Sequence, residues 1–352
     1  MSETVKKILV IQTAFIGDVI LTLPLVQVLK KNFPEASIDV VATPQAAQLF
    51  ANHPAVTRII PYDKRGSDSN LGGFLRIRKK VQSGGYELAI VPHRSLRSAL
   101  LAVLSGIPSR IGFDKSAGRL FFTRTVHYQP NIHEIERNLS LLAPLNIGTK
   151  EHELPALYPC DKERESIDRL MDDEKLDRHV PLVALAPGTI WNTKRWPRER
   201  FAEVSRRLRA KGYSVALVGS DADRALCEEI IGGADDQGIV NAAGRLSLLE
   251  SAELIRRARV IVTNDSAPMH IAVAVRTPVI AVFGATVPAF GFSPYGQEDV
   301  VVETNGLSCR PCSIHGSHSC PIKSFDCMIR IEPDRVLNLV QNKIDHVPPQ
   351  QE

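Results

Sequence analysis

The sequence predicts an α/β protein built from two doubly wound parallel-sheet domains facing a cleft. Three observations carry that expectation. Short β-rich runs alternate with amphipathic stretches of helical length along the chain. The runs are continuously apolar rather than alternating, as strands buried on both faces must be. The alternation also comes as two series, separated by the polar segment 149–181, in a chain of 352 residues, long enough for two cores.

Strands are expected at Ile8–Ile11, Ile38–Val41 and Leu88–Val91 in the first series, each rich in β-branched residues and leucine. Val19–Lys31 reads as the first helix. The segment 149–181 contains LPALYP, continues as a charged helix-like stretch from Asp161 to Lys175 and ends in a polar turn at Pro181. The second series supplies strands at Leu182–Ala186, Ser214–Val218, Val260–Thr263 and Val279–Val282, with helices at Arg198–Lys211 and Leu248–Arg257. A last helix, Pro333–Ile344, precedes the tail HVPPQQE. The expected division is a first Rossmann-like domain at 1–155, a second at 156–330, and a helix and tail at 331–352. Ligands are expected at the carboxyl ends of the strands, where doubly wound sheets bind them.

A net charge of +4 argues against wholesale nucleic-acid binding. The charge is uneven, however: Arg58 to Arg124 holds thirteen Lys/Arg against four Asp/Glu. That excess is either a solvated surface or a site for an anionic partner. Lysines precede the first apolar stretch, but Gln12 and Asp18 interrupt it, and no clean small-residue cleavage site follows. It reads as a buried strand of a cytoplasmic protein. Six cysteines in a chain of this length are no disulfide scaffold.

Three loops of the second series carry chemistry. In LVALAPGTIWNTKRWPRERF, a Pro-Gly turn leaves Thr189, Thr193 and Lys194 between a strand and a helix, and a lysine there suits a diphosphate. In VIVTNDSAPMHIAVAV, Asp265 is a natural N-cap, small Ser266 and Ala267 admit an anion to the helix N-terminus, and His270 lies one turn in. ALVGSDADRALCEEI offers Gly219, Ser220, Asp221 and Asp223, and one of the two acids either accepts bonds from ribose hydroxyls or only caps a helix. In the first series, the turn after the first strand holds one glycine and an acid, Gly17-Asp18, in place of a G-x-G-x-x-G fingerprint.

The segments IGDVILTLP, PGTIWNTKRWP, GRLSLLESAELI and VTNDSAPMHIA occur with RSALLAVLSGIPSRIGF and HEIERNLSLL in the first half. In order and spacing, over almost the whole chain, they resemble the ADP-heptose:lipopolysaccharide heptosyltransferases of glycosyltransferase family 9, in particular those of the heptosyltransferase II type. The resemblance implies the GT-B architecture of two Rossmann-like domains. It also implies inverting transfer of heptose from ADP-L-glycero-β-D-manno-heptose to the lipopolysaccharide inner core, whose acceptor is lipid A with Kdo or a first heptose. Carried across by position, Asp18 becomes the catalytic base, and Lys194 with Thr189 engages the donor diphosphate. Asp265, Ser266 and Ala267 become the phosphate helix, with His270 behind them, and Ser220 with Asp223 the ribose and adenine side. Ala267 departs from the glycine of many relatives, and Pro268 after it has no N–H to offer.

One carboxylate is enough for such a reaction. Inverting hydrolases need an acid to protonate a poor leaving group. A nucleoside diphosphate leaves well when a lysine and helix N-termini stabilise its charge. Asp18 then only has to take the proton of the attacking hydroxyl, and its place at a helix start favours its ionised form. The basic first half gains a use as well. Lys64, Arg65, Arg94 and Arg97 are expected to meet an anionic acceptor. The run Arg76, Arg78, Lys79 and Lys80 is either the wet face of a helix or a transient contact with the anionic inner leaflet, making the enzyme peripheral at the inner membrane face. His133, Glu134 and Arg137 are open to either acceptor contact or structural pairing.

The loop CRPCSIHGSHSCPIKSFDC brings Cys309, Cys312, Cys320 and Cys327 together in sequence, a spacing compatible with a structural zinc. No catalytic metal and no cofactor is expected. The competing functions are a family relative with another nucleotide sugar or acceptor, a nucleotide-sugar epimerase, and a non-enzymatic nucleotide- or glycan-binding module.

Overall fold

A computed structural model describes residues 5–148, 152–232 and 238–346. The chain divides into two compact units, residues 1–158 and 159–352.

The first unit is one parallel sheet of β1 (Lys7–Ile11), β2 (Ser37–Ala42), β3 (Arg58–Pro61), β4 (Leu88–Val91), β5 (Ser109–Phe113) and β6 (Arg124–Val126) in the order β3-β2-β1-β4-β5-β6. The order reverses between β1 and β4, which pair directly, Ile8 with Leu88 and Val10 with Ile90. The loops after these two strands therefore flank the crevice where such sheets bind ligands. Leu9, Ile11, Ala89 and Val91 meet Phe74, Ile77 and Val81 of the helix Leu71–Gln82 in one core. Ile8, Val10 and Ile90 are equally buried; strand alternation turns them to the opposite face, so both faces are covered.

The expected helix Val19–Lys31 is two helices, Ile16–Ile20 and Leu23–Asn32. Pro24 cannot donate back into the first, so the chain restarts at Thr22, whose carbonyl accepts from the N–H groups of Leu25 and Val26.

The second unit repeats the plan with β7 (Leu182–Ala186), β8 (Ser214–Leu217), β9 (Ile239–Asn241), β10 (Val260–Asn264), β11 (Val279–Phe283) and β12 (Val300–Glu303), ordered β12-β11-β10-β7-β8-β9. Its reversal lies between β10 and β7. Val183, Leu185, Val215, Leu217, Val260 and Val262 face a core that includes Trp196, Phe201 and Val204. The terminal helix Pro333–His346 packs Val336, Leu337 and Val340 into the same core. The charged stretch after Asp161 is the helix Asp161–Asp173, capped where Glu163 accepts from the Cys160 N–H at 2.8 Å. Among the described residues no helix is long and apolar enough to cross a membrane.

Candidate active site

In the second unit the phosphate-type residues gather on the loops after β7 and β10, on either side of the reversal. Asn264, fully buried at the end of β10, ties those loops together. Its Nδ2 donates to Pro187 O at 2.8 Å and its Oδ1 accepts from Trp196 N–H at 2.9 Å. Sequence reasoning passed over this asparagine, although its place between a strand and an Asp-Ser turn was a signal. Lys194 closes the single 3₁₀ turn Asn192–Lys194, and its Nζ lies 2.6 Å from Asp265 Oδ2. The same carboxylate oxygen accepts from Thr286 Oγ1 at 2.7 Å.

Asp265 is therefore not the helix cap. The N-cap of the helix Ala267–Ala274 is Ser266, in extended backbone, and Asp265 turns away to hold the lysine. A carboxylate there would repel a phosphate directly; bonded to Lys194 and Thr286, it orients the cation instead. Ser266 and Ala267 stand half-buried at the helix start, with His270 buried one turn behind. Thr189 makes a local turn, its Oγ1 accepting from Trp191 N–H at 3.1 Å. Its carbonyl accepts from Arg195 at 2.8 Å, a second cation in this loop that sequence reasoning did not single out.

Asp223 performs the capping alternative of the sequence reading. Its Oδ2 accepts from the Ser220 N–H at 2.9 Å and the Ser220 hydroxyl at 2.7 Å. It leans on Gly188, where any Cβ would overlap its carboxylate, so the Pro-Gly turn after β7 is shaped to admit this loop.

The cysteine-rich loop lies against the lysine turn rather than standing apart: Thr193 and Ser317 are hydrogen-bonded, and the rings of Trp191 and His318 are 5.0 Å apart. Among the described residues no three His, Cys, Asp or Glu side chains converge into a group that could hold a metal ion. Burial raises the thiol pKa of Cys312, and that of Cys327 to about 11.

In the first unit Asp18 is the third residue of the helix Ile16–Ile20, on the loop after β1, and its Oδ2 accepts from Phe15 N–H at 3.2 Å. Beneath that helix, Thr22 Oγ1 donates to Asp18 O at 2.8 Å and accepts from buried Gln12 Nε2 at 2.9 Å. Lys64 Nζ donates to Thr13 Oγ1 at 3.3 Å. Burial, then Arg65 and Arg97, depress the Lys64 pKa, while the charge of Asp18 opposes them. Arg65 lies over the exposed Phe15 ring at 5.1 Å, and Arg94 over Tyr128 at 4.1 Å.

Lys64, Arg65 and Arg94 thus share an electrostatic neighbourhood with Asp18: Asp18 and Arg94 both act on Tyr128 and Glu134, Asp18 and Arg65 both act on Lys64, and Lys64, Arg65 and Arg94 all act on His93. Arg97 is spent differently. It donates to Asp68 O at 2.6 Å, Ser69 O at 3.0 Å and the Tyr62 hydroxyl, holding the 68–69 turn, where the sequence reading placed an acceptor contact. In the lysine- and arginine-rich helix, Arg76 pairs with Asp68, Arg78 donates to Leu104 O, and Lys79 and Lys80 are exposed.

His93, at the end of β4, was missed. Its Nδ1 lies 3.0 Å from both Thr13 Oγ1 and Ser98 Oγ, and burial, reinforced by Lys64, Arg94 and Arg65, lowers its pKa to about 4. A neutral imidazole is thereby fixed beside the β1 loop. Arg137 resolves in favour of structure: it is buried, donates to Gln129 O, Pro130 O and Ile132 O, and pairs with Glu134.

Comparison with known proteins places this geometry. The model of glycosyltransferase family 9 (heptosyltransferase) matches residues 74–321. The chain belongs to glycosyltransferase family 9. It is 31% identical over 293 residues to the lipopolysaccharide heptosyltransferase 2 of Salmonella typhimurium, covering 81% of this chain and 84% of that one. It is 29% identical to the lipopolysaccharide heptosyltransferase 1 of Pseudomonas aeruginosa over 94% and 96% of the two chains. The solved structure of E. coli ADP-heptose lps heptosyltransferase II superposes with a TM-score of 0.80 at 27% identity, covering 96% and 98%. The two Rossmann-like sheets are thus the GT-B fold of family 9 glycosyltransferases.

Proposed function

We propose that this family 9 enzyme transfers heptose from ADP-heptose to the lipopolysaccharide inner core with inversion at the anomeric carbon. The second unit holds the donor and the first the acceptor. The observation that carries the reading is the Lys194–Asp265–Thr286 arrangement at the β7/β10 reversal. It is a fixed cation beside a helix N-terminus, in a chain similar to proteins named for this donor and this product. Lys194 and the N-terminus of the helix Ala267–Ala274 take up charge as the bond from C1 to the diphosphate oxygen breaks. The Asp18 carboxylate takes the proton of the acceptor hydroxyl as its oxygen bonds to C1. No metal or cofactor is assigned a step.

Mass analysis of a heptose-deficient lipopolysaccharide acceptor, incubated with the enzyme and ADP-heptose, tests this. A gain of one heptose is expected. A gain only with another nucleotide sugar would move the protein to a sister activity within the family. Conversion of the free nucleotide sugar without transfer would make it an epimerase, and ligand binding without any conversion a binding module.

The acceptor is membrane-borne, and the first unit carries a surface suited to an anionic inner leaflet. Leu71 and Leu75 of the helix Leu71–Gln82, Leu96 and Leu104 of the helix Leu96–Leu104, and Leu120 are exposed, with Lys79, Lys80 and Arg119 exposed beside them on the same elements. Leu71→Asp with Leu75→Asp is expected to lose co-flotation with vesicles containing anionic lipid, at unchanged turnover of a water-soluble truncated acceptor. Undiminished flotation would refute the surface.

A further inference from the structure

We propose that the cysteine-rich loop 309–327 is a clasp that sets the position of the donor lysine, with Thr193 and Gly316 as its positioning residues. The inference rests on the reading of Lys194 as the diphosphate ligand. Lys194 ends a single 3₁₀ turn, and one such turn does not hold its own geometry in water. What fixes it comes from far along the chain. Thr193 is 2% exposed. Its Oγ1 donates to Ser317 O at 3.1 Å and accepts from Ser317 N–H at 2.8 Å, while its N–H donates to Ser317 O at 3.1 Å. Asn192 Nδ2 donates to His318 O at 3.2 Å.

Gly316 completes the clasp. It has φ +89°, and a Cβ on it would lie 3.0 Å from Lys194 Cγ and Cδ and 2.9 Å from Trp191 Cβ. The aliphatic stem of Lys194 runs along that bare Cα, which leaves the ammonium aimed at Asp265. The start of the loop is anchored independently. Arg310 donates to Thr286 O at 2.8 Å and Thr304 O at 3.0 Å and pairs with Glu303 at 2.6 Å. Thr286 is also the residue whose hydroxyl steadies Asp265. One loop therefore braces both members of the Lys194–Asp265 pair, and its contacts on the lysine turn come from the backbone of Ser317 and His318, from Gly316 and from the His318 ring against Trp191.

Full-length protein and ADP titration test it. Thr193→Val keeps the shape and deletes both hydroxyl bonds; Thr193→Ser keeps them. Losing two buried bonds is expected to weaken ADP binding and raise the donor KM about tenfold, with Thr193→Ser within about twofold of wild type. The acceptor KM should not move. Gly316→Ala removes no bond but adds one methyl against the lysine stem at a φ that alanine adopts only with strain, so it should weaken ADP comparably, and with its fold checked by thermal unfolding it decides the matter if Thr193→Val does not fold. Lys194→Ala separates the two readings. If it weakens ADP binding while Thr193→Val and Gly316→Ala bind like wild type, the clasp is wrong and the donor site stands. If Lys194→Ala binds ADP like wild type, the donor reading falls and takes the clasp with it. A lower kcat at unchanged donor KM in the clasp variants would also overturn the inference.

Discussion

Asp18→Asn is expected to lower kcat by about 10²–10⁴-fold while leaving ADP affinity at its wild-type value, the range typical for removing a general base. The substitution is close to isosteric. An asparagine Oδ1 can still accept from the Phe15 N–H, and the bond from Thr22 Oγ1 goes to the backbone carbonyl of residue 18, so the turn keeps its shape. What disappears is the ability to take a proton. Single-turnover measurements with saturating donor isolate the chemical step, and ADP titration reads the second unit separately. Transfer at the wild-type rate would remove Asp18 from the mechanism. Loss of ADP binding together with turnover would point to a folding defect, which thermal unfolding would expose. Such a defect would disturb the polar layer beneath the helix, where Gln12, Thr22 and Asn138 are buried and Asn138 Nδ2 donates to Leu21 O at 3.1 Å.

The parts of the fold legible in the sequence were those that burial makes monotonous. Every expected strand lies at or next to a sheet centre and is apolar along most of its length. Four strands escaped notice because they are sheet edges: Arg58–Pro61, Arg124–Val126, Ile239–Asn241 and Val300–Glu303. They are only three or four residues long, and a polar residue or proline at an end or within each leaves little apolar run to read. Ser109–Phe113, one strand in from an edge, was missed because Ser109 and Arg110 open it.

The site shows the same division. Loops after central strands stood out by position, which is why Asp18, Lys194 and Asp265 were singled out as candidates. The partner of each was not readable. Asp265 has the composition of a cap, and only the approach of Lys194 and Thr286 shows that its carboxylate is used elsewhere. Thr193 and Ser317 are separated by 124 positions, and no periodicity links them. Arg97 carried the charge expected of an acceptor ligand, but the carbonyls of the 68–69 turn claim it, and composition cannot reveal that. His93 did have a signal, since it follows an apolar strand directly.

Arg137→Leu is expected to destabilise the protein by about 3–5 kcal/mol, the cost of leaving a buried charge without its partner. Arg137 is 1% exposed, bonds to three carbonyls between Gln129 and Ile132, and lies 4.7 Å from the Tyr128 ring centroid. Leucine fills much of the volume but satisfies none of those groups, and it strands Glu134. That carboxyl is already perturbed: burial raises its pKa from 4.5 to about 7, Asp18 adds to the rise, and Arg137 opposes it. A raised folded-state pKa means the native protein holds the proton more tightly than the unfolded chain. The stabilisation is complete below about pH 4.5 and is lost as pH climbs through about 7, on the order of 3 kcal/mol in all. His93 and His53, both lowered to about 4 by burial, tilt stability the other way between about pH 4 and 6.5. The readout is therefore the difference between wild type and Glu134→Gln in urea midpoints from pH 4.5 to 8, in which the histidines cancel. Wild type should lose ground to Glu134→Gln from about pH 4.5 to about 7 and level off above that. Parallel profiles would show that Glu134 is ionised throughout, held by Arg137 strongly enough to overcome its burial.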